Sequence, residues 1–244
     1  MEKKKVLIDE EKAPIYYELG HLYLAKDDKL NSISAFKLAL ETDSENPFYN
    51  NSLAFAYSRA ELYEDAIQHY QKAIDLNPDN TWTSIVCHAL GSLYAEVNGN
   101  SDAAIATYQA GLILDPENYD LYLALGDIYM ANYDVDKAIK SYCDGITLNP
   151  TDYRAYSKVG IALWEREYLE EALIAYSKAV DLNPENENGY NNLGVLYLDG
   201  LMDAEQGLEY FEKAIELNPN EFWAYISRGY AKGCLQDYQG AIED

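Results

Sequence analysis

The sequence predicts an all-α solenoid, a row of helix pairs in which each pair buries its apolar side against the next. Three observations carry this prediction. The phrase "AIDLNPDN" (73–80) returns as "GLILDPEN" (111–118), "GITLNPTD" (145–152), "AVDLNPEN" (179–186) and "AIELNPNE" (214–221). Its prolines, at 78, 116, 150, 184 and 219, stand 38, 34, 34 and 35 residues apart, a period typical of solenoids built from helix pairs. Apolar residues recur at helical spacing through a chain that is 48% hydrophobic, and no stretch reads as a strand pair or a βαβ unit.

Each element has a local cause. Proline lacks a backbone N–H and turns the residue before it away from helical angles. A helix is therefore predicted to end at Asn77, Asp115, Asn149, Asn183 and Asn218, and the polar residues after each proline can cap the next helix. Between prolines the unit has a fixed spelling, complete in the fourth copy: Tyr122, Leu125, Gly126, Tyr129, Ala138, Tyr142, Gly145 and Pro150. Small residues at Gly20, Gly91, Gly126, Gly160 and Gly194 let the two helices of a pair approach closely. A glycine inside a helix costs roughly 1 kcal/mol against alanine, so its return at one place points to a steric demand. Tyrosines before "LG" (16, 122, 156, 190, 225), three after the Gly (23, 57, 94, 129, 197) and in the second helix (70, 108, 142, 176) are predicted to fill the wedges between helices. These are 14 of the 24 tyrosines, so the tyrosine content reads as core rather than as an aromatic ligand site.

The register gives a charged lead-in, 1–12, and one array over 13–244, with repeats at 13–46, 47–80, 84–118, 119–152, 153–186 and 187–221 and a partial seventh at 222–244. Thr81, Trp82 and Thr83 are extra residues, nearly one helical turn, so the first helix of the third repeat is predicted to start early. One extra residue falls near Asn98-Gly99-Asn100 and one near Gly200-Leu201-Met202, both expected in turns. The seventh repeat stops inside its second helix, which leaves Tyr225, Leu235, Tyr238 and Ile242 predicted to face solvent. The natural protein is therefore expected to continue past Asp244, and the alternative expectation is that a second copy covers this end.

These residues resemble the tetratricopeptide repeat family, and the resemblance runs from Ala13 to the end. It implies a right-handed superhelix of helix-turn-helix repeats, six full and a truncated seventh, whose concave groove is lined by first helices at repeat places two, five, nine, twelve and thirteen. Carried over position by position, the groove takes Tyr17 and His21 from the first repeat. The second adds Phe48, Asn51, Phe55 and Arg59, and the third His88, Ser92 and Glu96. The fourth adds Asp120, Leu123 and Asp127, the fifth Arg154, Ser157, Ile161 and Trp164, and the sixth Asn188, Asn191, Val195 and Asp199. The apolar members stand where a fully solvated face would prefer polar groups, while the asparagines can bond a peptide backbone and Arg59 and Arg154 can grip carboxylates. Chaperone-binding members of the family use a carboxylate clamp. Here Arg154 and Lys158 occupy its third-repeat places, but Ala124 stands where the clamp needs Asn, and His88 and Ser92 where it needs Lys and Asn. The clamp is incomplete in every frame.

Composition narrows the function. Acidic residues number 42 against 18 basic ones, for a net charge of −24, which argues against nucleic acid as a partner. Cys87, Cys143 and Cys234 lie in different repeats without metal or disulfide spacing. Val6, Leu7 and Ile8 are too short a run for a signal peptide, and no stretch approaches the ~18 apolar residues of a membrane span. A reducing cytoplasm is expected. No phosphate-cradling loop, H-E-x-x-H or triad spacing is present, and His21 and His88, two repeats apart, cannot share a metal, so neither catalysis nor a cofactor is predicted. The function expected is a noncatalytic scaffold binding a peptide or protein segment in the groove. The alternative is a regulatory or substrate-docking module cut from a larger multidomain enzyme. Self-association through the uncapped C-terminal end is the further partner expected.

Overall fold

The computed structural model describes residues 12–77, 81–97 and 99–244. The lead-in through Glu11, Pro78 with Asp79 and Asn80, and Asn98 lie outside the described residues. Among those described there are fourteen α-helices and no strand. The chain divides into two compact units, 1–124 and 125–244, and the division falls inside one helix.

In the first unit the first repeat supplies α1 (Ala13–Ala25) and α2 (Lys29–Thr42). The second supplies α3 (Pro47–Arg59) and α4 (Tyr63–Leu76), and the third α5 (Thr81–Glu96) and α6 (Ser101–Leu114). Helix α7 (Tyr119–Ala131) spans the division. The second unit continues with α8 (Val135–Leu148), α9 (Tyr153–Glu165), α10 (Leu169–Leu182), α11 (Glu187–Val195), α12 (Ala204–Leu217), α13 (Phe222–Cys234) and α14 (Tyr238–Glu243). From α1 to α6, and from α8 to α14, each helix packs on the next in sequence.

The helix ends follow from their residues. Asn77, Asp115, Asn149, Asn183 and Asn218 terminate second helices outside the helical region, with φ from −143 to −131° and ψ from 59 to 92°, a conformation compatible with the proline that follows each. Asn46, Asp152 and Asn186 cap α3, α9 and α11 by accepting from the backbone N–H groups of Phe48 and Tyr49, Arg154 and Gly189. Inside each repeat the chain turns through a residue of positive φ. Asp27, Glu61, Tyr133, Glu167 and Gln236 do so at 57 to 65°, each directly before a residue whose N–H reaches back five positions, as Asp28 does to the Tyr23 carbonyl at 2.9 Å.

The two one-residue insertions resolve differently. Asn100 donates to the Tyr94 carbonyl, 2.9 Å away, so the third repeat holds its extra residue in the turn. The sixth repeat does not loop out as expected. Its first helix widens into a π-helical turn over Leu196–Gly200, in which Leu201 donates to the Leu196 carbonyl at 2.9 Å. Leu196 and Leu198 stay buried there, which explains why the extra residue is absorbed in the helix. Helix α5 does start early, at Thr81, where the buried Thr83 hydroxyl bonds the Asn77 carbonyl.

The core is built on one contact repeated. A methyl group on Gly20, Gly91, Gly126, Gly160 or Gly194 would fall 2.2 to 2.5 Å from a ring carbon of Phe36, Tyr108, Tyr142, Tyr176 or Phe211, on the second helix of the same repeat. The rings are buried, and each contributes about 1.5–3 kcal/mol by leaving water. In the first unit Phe36, Leu53, Tyr57, Tyr70, Val86 and Leu90 share one cluster. In the second, Tyr176, Leu193 and Leu196 form one cluster, and Leu198, Phe211 and Ala231 another. The tyrosines before "LG" are only partly buried. Tyr122, Tyr156 and Tyr225 donate to the carbonyls of Pro116, Pro150 and Pro219 at 3.2 to 3.3 Å, tying each first helix to the preceding proline turn. Tyr225, expected in solvent, is thereby partly covered, whereas Leu235, Tyr238 and Ile242 are exposed.

Candidate functional site

The first helices position the candidate residues because the Gly–ring contact fixes which side of each helix faces its own partner. In the first unit Tyr17 meets His21 edge-on at 4.6 Å and Tyr49 at 5.0 Å. The Ser52 hydroxyl lies 3.4 Å from both the Tyr17 oxygen and His21 Nε2. Tyr17, His21 and Ser52 thus come together across α1 and α3. Phe55 is 45% exposed, and Phe48 packs on Trp82 at 4.5 Å. Asn51 is partly buried, and His88 lies 5.9 Å from the Tyr108 ring. Leu123 departs from its expected role: it is 7% exposed, so it serves packing rather than recognition.

The cations expected to grip a ligand's carboxylates are already engaged. Arg59 pairs with Asp27 at 2.9 Å. Arg154 folds back on Asp152, the cap of its own helix, with Nε 2.9 Å from Oδ2. Lys158 bonds Asp127 at 2.7 Å, and the same carboxylate oxygen accepts from the Tyr142 hydroxyl at 2.7 Å. Burial and the neighbouring Asp127 carboxylate raise the Tyr142 phenol above its ordinary value. An acidic ligand here would meet Asp127 and Asp152 as well as the cations, which removes the electrostatic basis of a carboxylate clamp.

Farther along the second unit Ile161 is exposed, while Trp164 is partly buried against the Tyr176 and Leu196 cluster. Asn191 is partly buried, and its Oδ1 has no hydrogen-bond partner among the described residues. The seventh repeat adds Trp223, Ile226 and Tyr230, which are 64, 47 and 61% exposed. They occupy places two, five and nine, and they were missed because the register was carried only through complete repeats. The same count from Phe222 would have found them. Among the described residues no group of three or more His, Cys, Asp or Glu side chains is arranged to hold a metal ion. Burial pushes the Cys87 thiol up to about 11, away from nucleophilic chemistry.

Repeats of helix pairs with a Gly–aromatic seam and first helices free to present side chains define an interaction-repeat protein. Profiles described as Tetratricopeptide repeat match residues 13–46, 45–112, 91–153 and 188–221, and one described as TPR repeat matches 165–200. The chain belongs to the tetratricopeptide repeat family. It is 33% identical over 129 residues to the TPR repeat-containing protein YpiA of Bacillus subtilis (strain 168), covering 52% of this chain and 29% of that one. The chain spans less than a third of the length of the curated relatives it matches, with shares of 29, 21 and 21%. Among solved structures it is similar to YrrB, a TPR protein with an unusual peptide-binding site, at 25% identity and a TM-score of 0.62, over 78% of this chain and 95% of that one. A tetratricopeptide repeat protein from Parabacteroides merdae ATCC 43184 shares the fold at 18% identity and a TM-score of 0.74, over 96% of this chain and 90% of that one. Among the described residues no helix is long and apolar enough to cross a membrane.

Proposed function

We propose that this chain is a noncatalytic scaffold that binds polypeptide segments on the first-helix faces of its units. One observation carries the reading: Trp223, Ile226 and Tyr230 form an exposed apolar row on α13, and Tyr230 holds repeat place nine, where Phe55 and Ile161 are also exposed on α3 and α9. Leaving such side chains in water forgoes about 25 cal/mol per Å² of apolar area, and a contiguous apolar strip marks a partner surface. The peptide-binding site of YrrB supports a polypeptide ligand. Engaged cations and a net charge of −24 favour neutral or basic segments over acidic tails. The three free cysteines support a reducing cytoplasm. Self-association through the face of α13 and α14 that exposes Tyr238 and Ile242 is the other partner this reading allows, and sedimentation at high concentration decides it.

The test uses a peptide selected on the full chain from a random displayed library. Trp223→Lys with Tyr230→Lys, and separately Phe55→Lys, are each made against Ile113→Lys, a control on α6 at an 81% exposed position. At least one first-helix variant should weaken the selected peptide about tenfold, the equivalent of one lost anchor, while the control binds normally. Unchanged affinity in both first-helix variants overturns the assignment.

A further inference from the structure

A second surface lies away from the exposed first-helix positions at Ile161 and Trp223. On α10, Glu171, Ile174, Lys178 and Asp181 follow a three-four-three spacing and so form one row along the helix. This row walls a cavity of about 880 Å³ whose opposite wall is Cys143 and Ile146 of α8 and whose floor includes Val159 and Leu163 of α9. Val159 and Leu163 each stand two residues from Ile161, close to the opposite side of α9.

The first unit contains the same seam between α2 and α4, and there it is less than half as large. Lys37, Leu40, Leu53, His69 and Lys72 hold the register places of Cys143, Ile146, Val159, Ala175 and Lys178, and the space is about 320 Å³. Lys37 reaches over the Tyr57 ring at 5.4 Å and His69 stacks on that ring at 5.6 Å, so both side chains occupy the seam. Cys143 and Ala175 are too short to do this, which is why the groove of the second unit is the wider one.

We propose that this groove docks a cationic amphipathic helix of a partner protein. The shape fits: the row from Glu171 to Asp181 is about 15 Å long at 1.5 Å per residue, and a helix laid in a groove anchors through residues at spacings of three, four and seven. Ile174, 70% exposed at the middle of the row, supplies an apolar contact beside the apolar floor. The charge fits as well. Carboxylates stand at both ends of the row with one ammonium between them. The lysines of α8 are neutralised, Lys137 by Asp134 and Lys140 by Asp144, and the whole chain carries −24. Basic residues flanking the apolar face of the incoming helix meet Glu171 and Asp181.

The probe is a synthetic amphipathic helix with a leucine face and lysine flanks, compared with the same peptide carrying glutamate flanks, on the full chain. The lysine peptide should bind and slow alkylation of Cys143 by N-ethylmaleimide while leaving exposed Cys234 unaffected. Ile174→Asp, on an exposed position and checked for native helicity, should weaken binding about tenfold. Glu171→Lys with Asp181→Lys should reverse the preference toward the glutamate peptide. The Trp223→Lys, Tyr230→Lys variant should bind the probe as the native chain does, which separates this site from the first-helix faces. Absence of binding, unprotected Cys143, indifference to Ile174→Asp, or equal binding of both peptides overturns the proposal.

Discussion

A methyl group at Gly126 would lie 2.2 Å from the Tyr142 ring, closer than any real side chain sits. The ring is 2% exposed and its hydroxyl is held by Asp127, so it has little room to yield. Gly126→Ala gains about 1 kcal/mol of helix propensity but overpacks a seam where such insertions cost about 1–3 kcal/mol. A net loss of up to about 2 kcal/mol is expected from these two effects, read as a lowered denaturant midpoint. Gly233 has nothing within 4 Å of the corresponding position, so Gly233→Ala should be neutral or stabilising by up to about 1 kcal/mol. Opposite signs at two helical glycines would show that sterics, not propensity, keep Gly126. At this scale the sequence was informative about the glycines. It misplaced Leu123, expected in the groove but buried by what surrounds it, and it expected Arg154 to grip a ligand where its fork closes on the nearby Asp152.

The helices begin and end where local chemistry dictates. Asn46 caps α3 by accepting from both Phe48 and Tyr49, and its own carbonyl accepts from the Asn50 side chain at 2.9 Å. Asn46→Ala should therefore cost about 1 kcal/mol, measured by chemical denaturation, and Asn46→Asp should restore most of it. Asn50 is fully buried where most other repeats carry tyrosine, and its Oδ1 meets His69 Nδ1 at 3.0 Å, so the second repeat replaces an aromatic wedge by a polar link. The element boundaries were legible because proline and cap residues act within a few positions. The π-helical turn at Leu196–Gly200 was not: an inserted residue can loop out or widen the helix, and the choice depends on keeping Leu196 and Leu198 buried.

For the whole molecule, buried ionisable groups set the pH range of stability. The Cys87 thiol ionises at 9.0 when free of its surroundings and is pushed up to about 11 by burial. Burial likewise raises the phenols of Tyr70, Tyr142 and Tyr176 above 10.0. Above pH 9.0 the unfolded chain releases these protons before the folded one does, so stability falls as the pH rises. His69 moves the other way. Burial, and then the nearby Lys72 charge, lower it from 6.5, so the unfolded chain takes the proton first and stability falls again as the pH drops below that value. The denaturant midpoint should peak between pH 6.5 and 9.0. His69→Gln should flatten the start of the acid limb and leave the alkaline limb intact. A midpoint still rising above pH 9.0 would contradict the burial of these groups.

The period of the prolines and the Gly–aromatic spelling were enough to specify helix pairs, their order and most of their limits, because each rests on steric rules that reach only a few residues along the chain. Which charges neutralise one another, and which seam between second helices stands open, emerged only on folding. Asp27 and Arg59 are 32 residues apart, and Asp127 and Lys158 are 31 apart. Such partners meet only when one repeat packs on the next, and the volume left at a seam is the sum of side chains brought there from three helices.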